Sequence, residues 1–332
     1  MLTPWFKTLV LGLFMVAALV SPAPAQDLTV RVGFSDPIST PWGQGLLEFK
    51  RIVEAESKGR IAVRLFPSEQ LGSLVEMVEN VRQGAQEIAL ASPGWFSQFY
   101  PRIDMLELPF LVTDWNQARR MLNSKAFDDL VKAAQAKTGL LIYAKFPYGF
   151  RNVVNSKRPV KTLDDLKGLK LRVQNTPAHL AIFRSLGANP VAIAWSETYQ
   201  AVQTGVVDGL ENANTVLVAN KFPEVAKYIS VTHHLFGMLL AYINPQFYNR
   251  LGDDNRRLLD RAMKEAEAVS LRISLEQEQK AIQQLRDMGA QINVVSPEEI
   301  QRMRKAVRVV YDEFGPRFQP ELKGLQEAAQ GK

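Results

Sequence analysis

The sequence predicts an α/β protein of two lobes joined by segments that cross between them. Three observations carry this. Runs with strand alternation are separated by runs with helical spacing, the pattern of alternating β and α units. The chain has 332 residues, 46% of them hydrophobic, enough for two cores, yet no Gly/Ser linker separates its halves. Finally, from residue 253 up to Gly289 neither proline nor glycine interrupts a strongly helical composition. At 1.5 Å per residue such a helix is about 54 Å long, wider than a small domain, so it is expected to run across two.

The elements follow in order. Residues 28–37 (LTVRVGFSDP) alternate as a strand and end in a turn. Leu46, Leu47, Phe49, Ile52 and Val53 give residues 45–57 helical spacing. RIAVRLFP (60–67) is a second strand. Ser73 opens and Gly84 closes the next helix, and EIALAS (87–92) is a third strand. Residues 114–137 read as one helix, after which Gly139 leads into the strand LLIYAKFP (140–147).

A second cycle starts near Tyr148. FRNVVNS (150–156) is extended. TLDDLKG (162–168) is a short helix, with Thr162 and Asp165 at capping-box spacing and Gly168 after its end. LKLRVQ (169–174) is a strand and residues 178–186 a helix. NPVAIA (189–194) is a strand, followed by a helix over 196–205 with Ser196 as its cap. VVDGLENAN (206–214) reads as turn-rich, and MLLAYINP (238–245) as a strand. Residues 296–314 form the final helix, opened by Ser296, Pro297 and Glu299. The alternation argues for largely parallel sheets.

The first 25 residues differ from the rest. Lys7 precedes a twelve-residue run without charge (residues 9–20), and Ala23-Pro24-Ala25 supplies a small-residue cleavage site. This is the pattern of a secretory signal peptide, and the run is short of the roughly 20 residues a membrane span needs. The mature chain then begins near Gln26 in an exported, periplasmic setting. Removing Lys7 with the leader lowers the net charge from +6 to +5. That modest excess is spread along the chain and lacks the basic runs with interleaved aromatics of a nucleic-acid binder, but it suits a protein that takes up anions. There is no cysteine, which excludes disulfides, thiolate metal sites and cysteine nucleophiles. No metal or cofactor is implied.

Enzyme signatures are missing: there is no G-x-G-x-x-G, Walker loop, G-x-S-x-G or H-E-x-x-H. His233 and His234 are adjacent, so on a strand they face opposite ways, and they read as surface or interface residues. His179 reads as a first-turn helix residue. Asp208 and Glu211 read as turn and cap residues, with an acid/base pair or part of a metal site as the alternatives.

Arg172 is harder to assign to structure alone. It ends an alternating strand just before Asn175-Thr176-Pro177, a helix start. Strand ends beside helix amino termini are where open α/β sheets bind ligands, and a guanidinium matches a carboxylate with two parallel hydrogen bonds. Arg151, in YGFRNVVNS, is a second arginine on an extended segment.

These residues carry a resemblance. GLKLRVQN…LGANPVAIAWSETYQAVQTGVVDGLEN (168–212) is its most specific part. FPSEQLG (66–72), VRQGAQEIALAS (81–92), FYPRIDMLELPFL (99–111) and FRNVVNSKRPVKTLDDLKG (150–168) support it in consistent order. The sequence resembles the substrate-binding proteins of tripartite ATP-independent periplasmic (TRAP) transporters, in the dicarboxylate-binding-protein family. The resemblance implies a two-lobed fold with a hinge and a long helix spanning both lobes. With the elements above it divides the mature chain into lobe I (26–148 plus about 238–277) and lobe II (149–237 plus about 278–332).

It also implies the site. Arg172 pairs with the carboxylate of a small organic acid. Arg151, Asn175, Glu211 and Asn212 belong to the pocket, and Trp195 is its aromatic wall. Ser35, Ser73 and Ser92 fall at first-lobe positions that line the cleft; in sialic-acid-binding relatives these three differ in polarity or charge, which argues against sialic acid. The expected function is capture of a carboxylated solute for TRAP membrane permease subunits, without catalysis. The alternatives are a binding protein for another transporter class or a sensor, and a periplasmic enzyme using Asp208, Glu211 and His179.

Overall fold

The computed structural model describes residues 28–332. The leader expected over 1–25 lies outside them. Among the described residues, nine strands form one mixed sheet. They are β1 (Leu28–Gly33), β2 (Ile61–Phe66), β3 (Ile88–Ala91), β4 (Leu141–Asn155), β5 (Lys170–Val173), β6 (Asn189–Ala192), β7 (Gly209–Ala213), β8 (Tyr228–Ile243) and β9 (Gln291–Val294). Their order is β2-β1-β3-β8-β4-β7-β5-β6, with β9 paired to β8.

The strand alternation gives parallel pairs at the two ends, β1 with β2 and β3, and β5 with β6 and β7. The middle is different from the expected parallel arrangement. β4 and β8, 15 and 16 residues long, run antiparallel from Leu141↔Ile243 to Asn155↔Tyr228. At about 3.4 Å per residue each spans on the order of 50 Å, far beyond an ordinary strand. β3 pairs with one end of β8, at Leu240–Ile243, while β7 and β9 pair near the opposite end of the β4–β8 ribbon. Two parallel half-sheets are thus joined by one long two-stranded ribbon.

The ribbon is irregular at its centre. The register shifts between Pro147 and Gly149, and Gly149 adopts φ +108°. Opposite it, Gly237 is compulsory: a Cβ there would sit 2.1 Å from the Tyr148 ring. A bulge with a crossing ring is a place where a strand bends.

The helix Gly252–Asp287 matches the uninterrupted run in the sequence. Its Leu258, Leu259, Ala262, Met263 and Ala266 enter the core beneath β1 and β2, and Leu285 enters a separate core beneath β7. The spacing is that of one apolar helical face. Between the two cores, Ser274 Oγ donates to the Pro147 carbonyl at 3.2 Å, pinning the middle of the helix to the bulge. A third cluster covers the opposite face of the sheet and draws on both halves.

Several local expectations are corrected. Residues 114–137 form two helices, Trp115–Leu122 and Lys125–Thr138, because Ser124 Oγ accepts from Phe127 N and starts a new one. The helix near 196 begins at Trp195 after Ala194, with no side-chain cap, so Ser196 lies inside its first turn. The final helix is broken at Val307 into Pro297–Ala306 and Arg308–Phe314, and a further helix, Glu321–Gln330, packs against Trp115–Leu122. VVDGLENAN is not a turn: β7 lies within it, buried at all five positions between β4 and β5. No described helix is long and apolar enough to cross a membrane.

Candidate ligand-binding site

The carboxyl ends of β1, β3 and β5 converge with the middle of β4 on one cavity. Ser35 and Asp36 follow β1, and Ser92 follows β3. Tyr148 and Arg151 come from β4, Arg172 from β5 and Asn212 from β7. Gln174, Trp42, Trp95 and Trp195 complete the polar and aromatic lining.

Arg172 is 1% exposed and keeps its charge in an unusual setting. Its Nε donates to the Ile193 carbonyl at 2.9 Å, and its guanidinium lies 5.3 Å from the centre of a Trp195 ring. Its Nη2 has no hydrogen-bond partner and no acid of the described residues forms an ion pair with it. Burial, reinforced by Arg151 nearby, pulls its pKa down to about 10, so it remains a cation at neutral pH.

Arg151 lines the same cavity but is already matched. Its Nε and Nη2 donate to Glu211 Oε2 and Oε1, both at 2.6 Å, and its Nη1 donates to the Tyr148 hydroxyl at 2.6 Å. Burial disfavours its charge, but the Glu211 carboxylate and Tyr148 more than offset that and raise its pKa. Burial likewise opposes ionisation of Glu211, and the Arg151 charge overcomes it, holding the carboxyl well below its usual range. Glu211 is 0% exposed and also faces His234 Nε2 at 3.3 Å. Burial holds the His234 pKa down despite Glu211. We therefore assign a neutral ring, donating from Nε2 to Glu211 and accepting at Nδ1 from Thr232 Oγ1 at 2.8 Å.

The network extends one step further. His179 Nε2 lies 2.9 Å from Glu107 Oε2, and Glu107 Oε1 accepts from Gly94 N at 3.1 Å. Two hydrogen bonds also bridge the cavity between the half-sheets. Ser92 Oγ donates to Gln174 Oε1 at 2.8 Å, and Asn220 Nδ2 donates to Asp36 Oδ1 at 3.0 Å.

Six residues singled out from the sequence therefore meet at one cavity: Ser35, Ser92, Arg151, Arg172, Trp195 and Asn212. Glu211 stands behind it, as the partner of Arg151. Two residues are elsewhere. Asn175 is exposed; Arg172 and Gln174 share one face by strand alternation, so Gln174 reaches the cavity in its place. Ser73 caps the helix Leu74–Gln83 through a capping box with Glu76, and Leu74 lines the wall instead.

Of the histidines, His179 lies in the first turn of the helix Pro177–Ser185 as expected, and His234 differs from the expected surface position. His233 is exposed, but His234 is 1% and His179 0% exposed, both in the ion network. Asp208 is not near Glu211 in function: its Oδ2 accepts from Lys170 N at 2.9 Å, while Glu211 is spent on Arg151. No acid/base pair is assembled from them. The sequence reading missed Asp36, Gln174, Trp42, Trp95 and Tyr148. Asp36 carried a signal, an acid directly after Ser35 at a strand end, and Gln174 another, two residues from Arg172.

The profile of bacterial extracellular solute-binding protein family 7 (DctP) matches residues 33–317. The chain belongs to this family. The 2,3-diketo-L-gulonate-binding periplasmic protein YiaO of Escherichia coli K12 is 33% identical over 278 residues, 84% of each chain. The C4-dicarboxylate-binding periplasmic protein DctP of Rhodobacter capsulatus is 30% identical over 314 residues, 94% of each. The crystal structure of the sugar acid binding protein DctPAm of Advenella mimigardefordensis, in complex with galactonate, superposes with a TM-score of 0.88 at 25% identity, covering 91% of this chain and 98% of that one. The family 7 fold is the two-lobed fold expected from the sequence, with the long helix Gly252–Asp287 in place.

Proposed function

We propose that this chain is a periplasmic solute-binding protein that captures a small carboxylate-containing organic acid and delivers it to TRAP-type membrane permease subunits, without turning it over. The observation that carries the reading is the Arg172 Nη2, buried in the cavity wall and without a hydrogen-bond partner. An unpaired buried guanidinium is costly unless an anion completes it, and a carboxylate does so with two parallel hydrogen bonds. The relatives support the class: one is named for diketogulonate, one for C4-dicarboxylates, and one holds galactonate. Their periplasmic setting supports export through the leader.

In this reading Trp195 stacks beneath the anchor, while Ser35, Ser92, Asn212 and Gln174 bond the rest of the ligand. Arg151 faces the ligand but is held by Glu211. The register shift at Pro147–Gly149 supports a lobe boundary near residue 148, and closing the lobes expels water and strengthens each contact.

The test is thermal unfolding of the mature protein against a panel of small organic acids, with Arg172→Ala alongside. A ligand at 100 times its dissociation constant adds about 2.7 kcal/mol to stability, a rise on the order of 5 °C for a chain of this size. A rise with one class of acid, absent in the variant, is expected. An equal rise in the variant would overturn the anchor.

A further inference from the structure

The charges around the cavity narrow the class of acid, an inference that rests on the carboxylate reading of Arg172. Only two cations line the cavity, and Arg151 is neutralised by Glu211. Arg172 alone has a free donor, so the wall holds one carboxylate.

The same wall holds an acid. Asp36 is 5% exposed, and its oxygens accept from Asn220 Nδ2 at 3.0 Å and Ser35 Oγ at 2.7 Å, both neutral donors. Past Ser35 and Trp195 a second cavity opens, shared by those two walls and lined by Glu69, Ser68, Ser196, Tyr199 and Asn220. No lysine or arginine lines it. The Glu69 Oε2 is buried without a hydrogen-bond partner. Burial raises the Glu69 pKa, the Asp36 charge adds to that, and the Arg172 charge opposes it. The walls therefore hold two acids, Asp36 and Glu69, and one cation with a free donor, Arg172.

Burial raises the Asp36 pKa, and hydrogen bonds from Ser35 and Asn220 with the Arg151 charge oppose that and favour the anion, so a second ligand carboxylate beside it would meet an acid and no cation free to receive it. A hydroxyl would be welcome there, because it donates to a carboxylate and accepts from others. The remaining lining agrees. Trp42 Nε1 is a second buried donor without a partner, and Ser35, Ser92 and Asn212 offer short polar contacts. One carboxylate does not use so many groups.

We propose that the site takes hydroxylated monocarboxylates and rejects dicarboxylates, with Asp36 as the specificity-determining residue that accepts a hydrogen bond from a ligand hydroxyl remote from the anchored carboxylate. Similarity does not separate these classes, since relatives are named for both.

The test uses matched pairs that differ only in a terminal CH2OH or carboxylate: erythronate against meso-tartrate, and gluconate against glucarate. Binding is measured by titration calorimetry at pH 7.5 on mature protein unfolded and refolded to strip any co-purified ligand. The monocarboxylate of at least one pair is expected to bind about 100-fold more tightly than its diacid, about 2.7 kcal/mol. Asp36→Asn, which keeps an acceptor oxygen but removes the charge, is expected to shrink that gap to under tenfold. A gap under tenfold in the wild-type protein, with both acids lost in Arg172→Ala, would overturn this inference and leave the carboxylate anchor standing. Binding of butyrate or hexanoate as tight as that of the hydroxylated acid of the same length would overturn it too. Binding of none of these acids would overturn this inference, and the anchor would stand only if another carboxylic acid bound the wild type and not Arg172→Ala.

Discussion

Arg151 and Glu211 meet edge to edge, with both nitrogen–oxygen distances at 2.6 Å, while Arg172 in the same cavity wall meets no acid at all. Two arginines of similar burial thus have different work. One is internal to the fold and the other is exposed only to what enters the cavity. The contrast sets the first two predictions.

Arg172→Ala is expected to weaken binding of the native acid by about 2–5 kcal/mol, the usual cost of truncating one side of a buried charged pair. Arg172→Lys is expected to lose much of the same affinity, because an ammonium lacks the planar fork. Without ligand the sign reverses: Arg172→Met removes a buried charge that no acid balances, so its melting temperature should equal or exceed that of the wild type. Calorimetric titration and ligand-free melting curves measure the two effects separately.

Glu211→Gln is expected to destabilise the chain by about 3–5 kcal/mol, because it leaves the Arg151 guanidinium buried and uncompensated. The urea midpoint at pH 7 reads this directly. The carboxyl of Glu211 is held below its ordinary 4.5, so its contribution is complete above pH 4.5 and is lost as the pH falls toward the folded value. The difference between wild type and variant should therefore shrink in acid, and a constant difference down to pH 2 would contradict the pairing.

Asp104 gives the opposite sign. It is 5% exposed, its Oδ1 has no partner, and burial followed by the neighbouring Glu107 charge pushes its pKa from 3.8 up to about 7. A raised carboxyl binds its proton more tightly when folded, so its contribution is full below pH 3.8 and is lost as the pH rises through about 7. Asp104→Asn is expected to gain stability over the wild type at pH 8 and not at pH 4. Paired denaturation curves at the two values check it.

Gly237→Ala places a methyl 2.1 Å from the Tyr148 ring. The ring must move, and with it the hydroxyl that accepts from Arg151. Overpacking of this kind costs about 1–3 kcal/mol. Ligand affinity should fall along with stability, whereas Gly139→Ala, at a helix end with open space around it, should leave affinity unchanged.

The legible parts of the sequence were local. Arg172 stood out because strand alternation and a helix start flank it, and the long helix because no breaker interrupts it. Ser35, Ser92 and Trp195 came from a resemblance spread over long motifs. The illegible parts depend on register. Arg151 and Glu211 are 60 residues apart, and they meet because β4 and β7 pair with Val153 opposite Glu211. β7 is five residues with two polar side chains, so its composition mimics a turn. The length of β4 and β8 was hidden by Pro147, Gly149 and Gly237, which break a strand pattern but here form the bulge. Asn175 failed because one residue of slip along a strand changes its face.

The unbroken β4–β8 ribbon makes the molecule a leaf spring with jaws rather than two bodies on a pin. Its register shifts are where it bends, and the central one, at Pro147–Gly149, is braced by Ser274 of the long helix. Ser92 to Gln174 and Asn220 to Asp36 are two light catches across the cavity. A solute that grips one jaw alone leaves the spring free to recoil. One that touched Arg172 and Asp36 at once would hold it shut, so the posture of the protein would report the chemistry of its cargo.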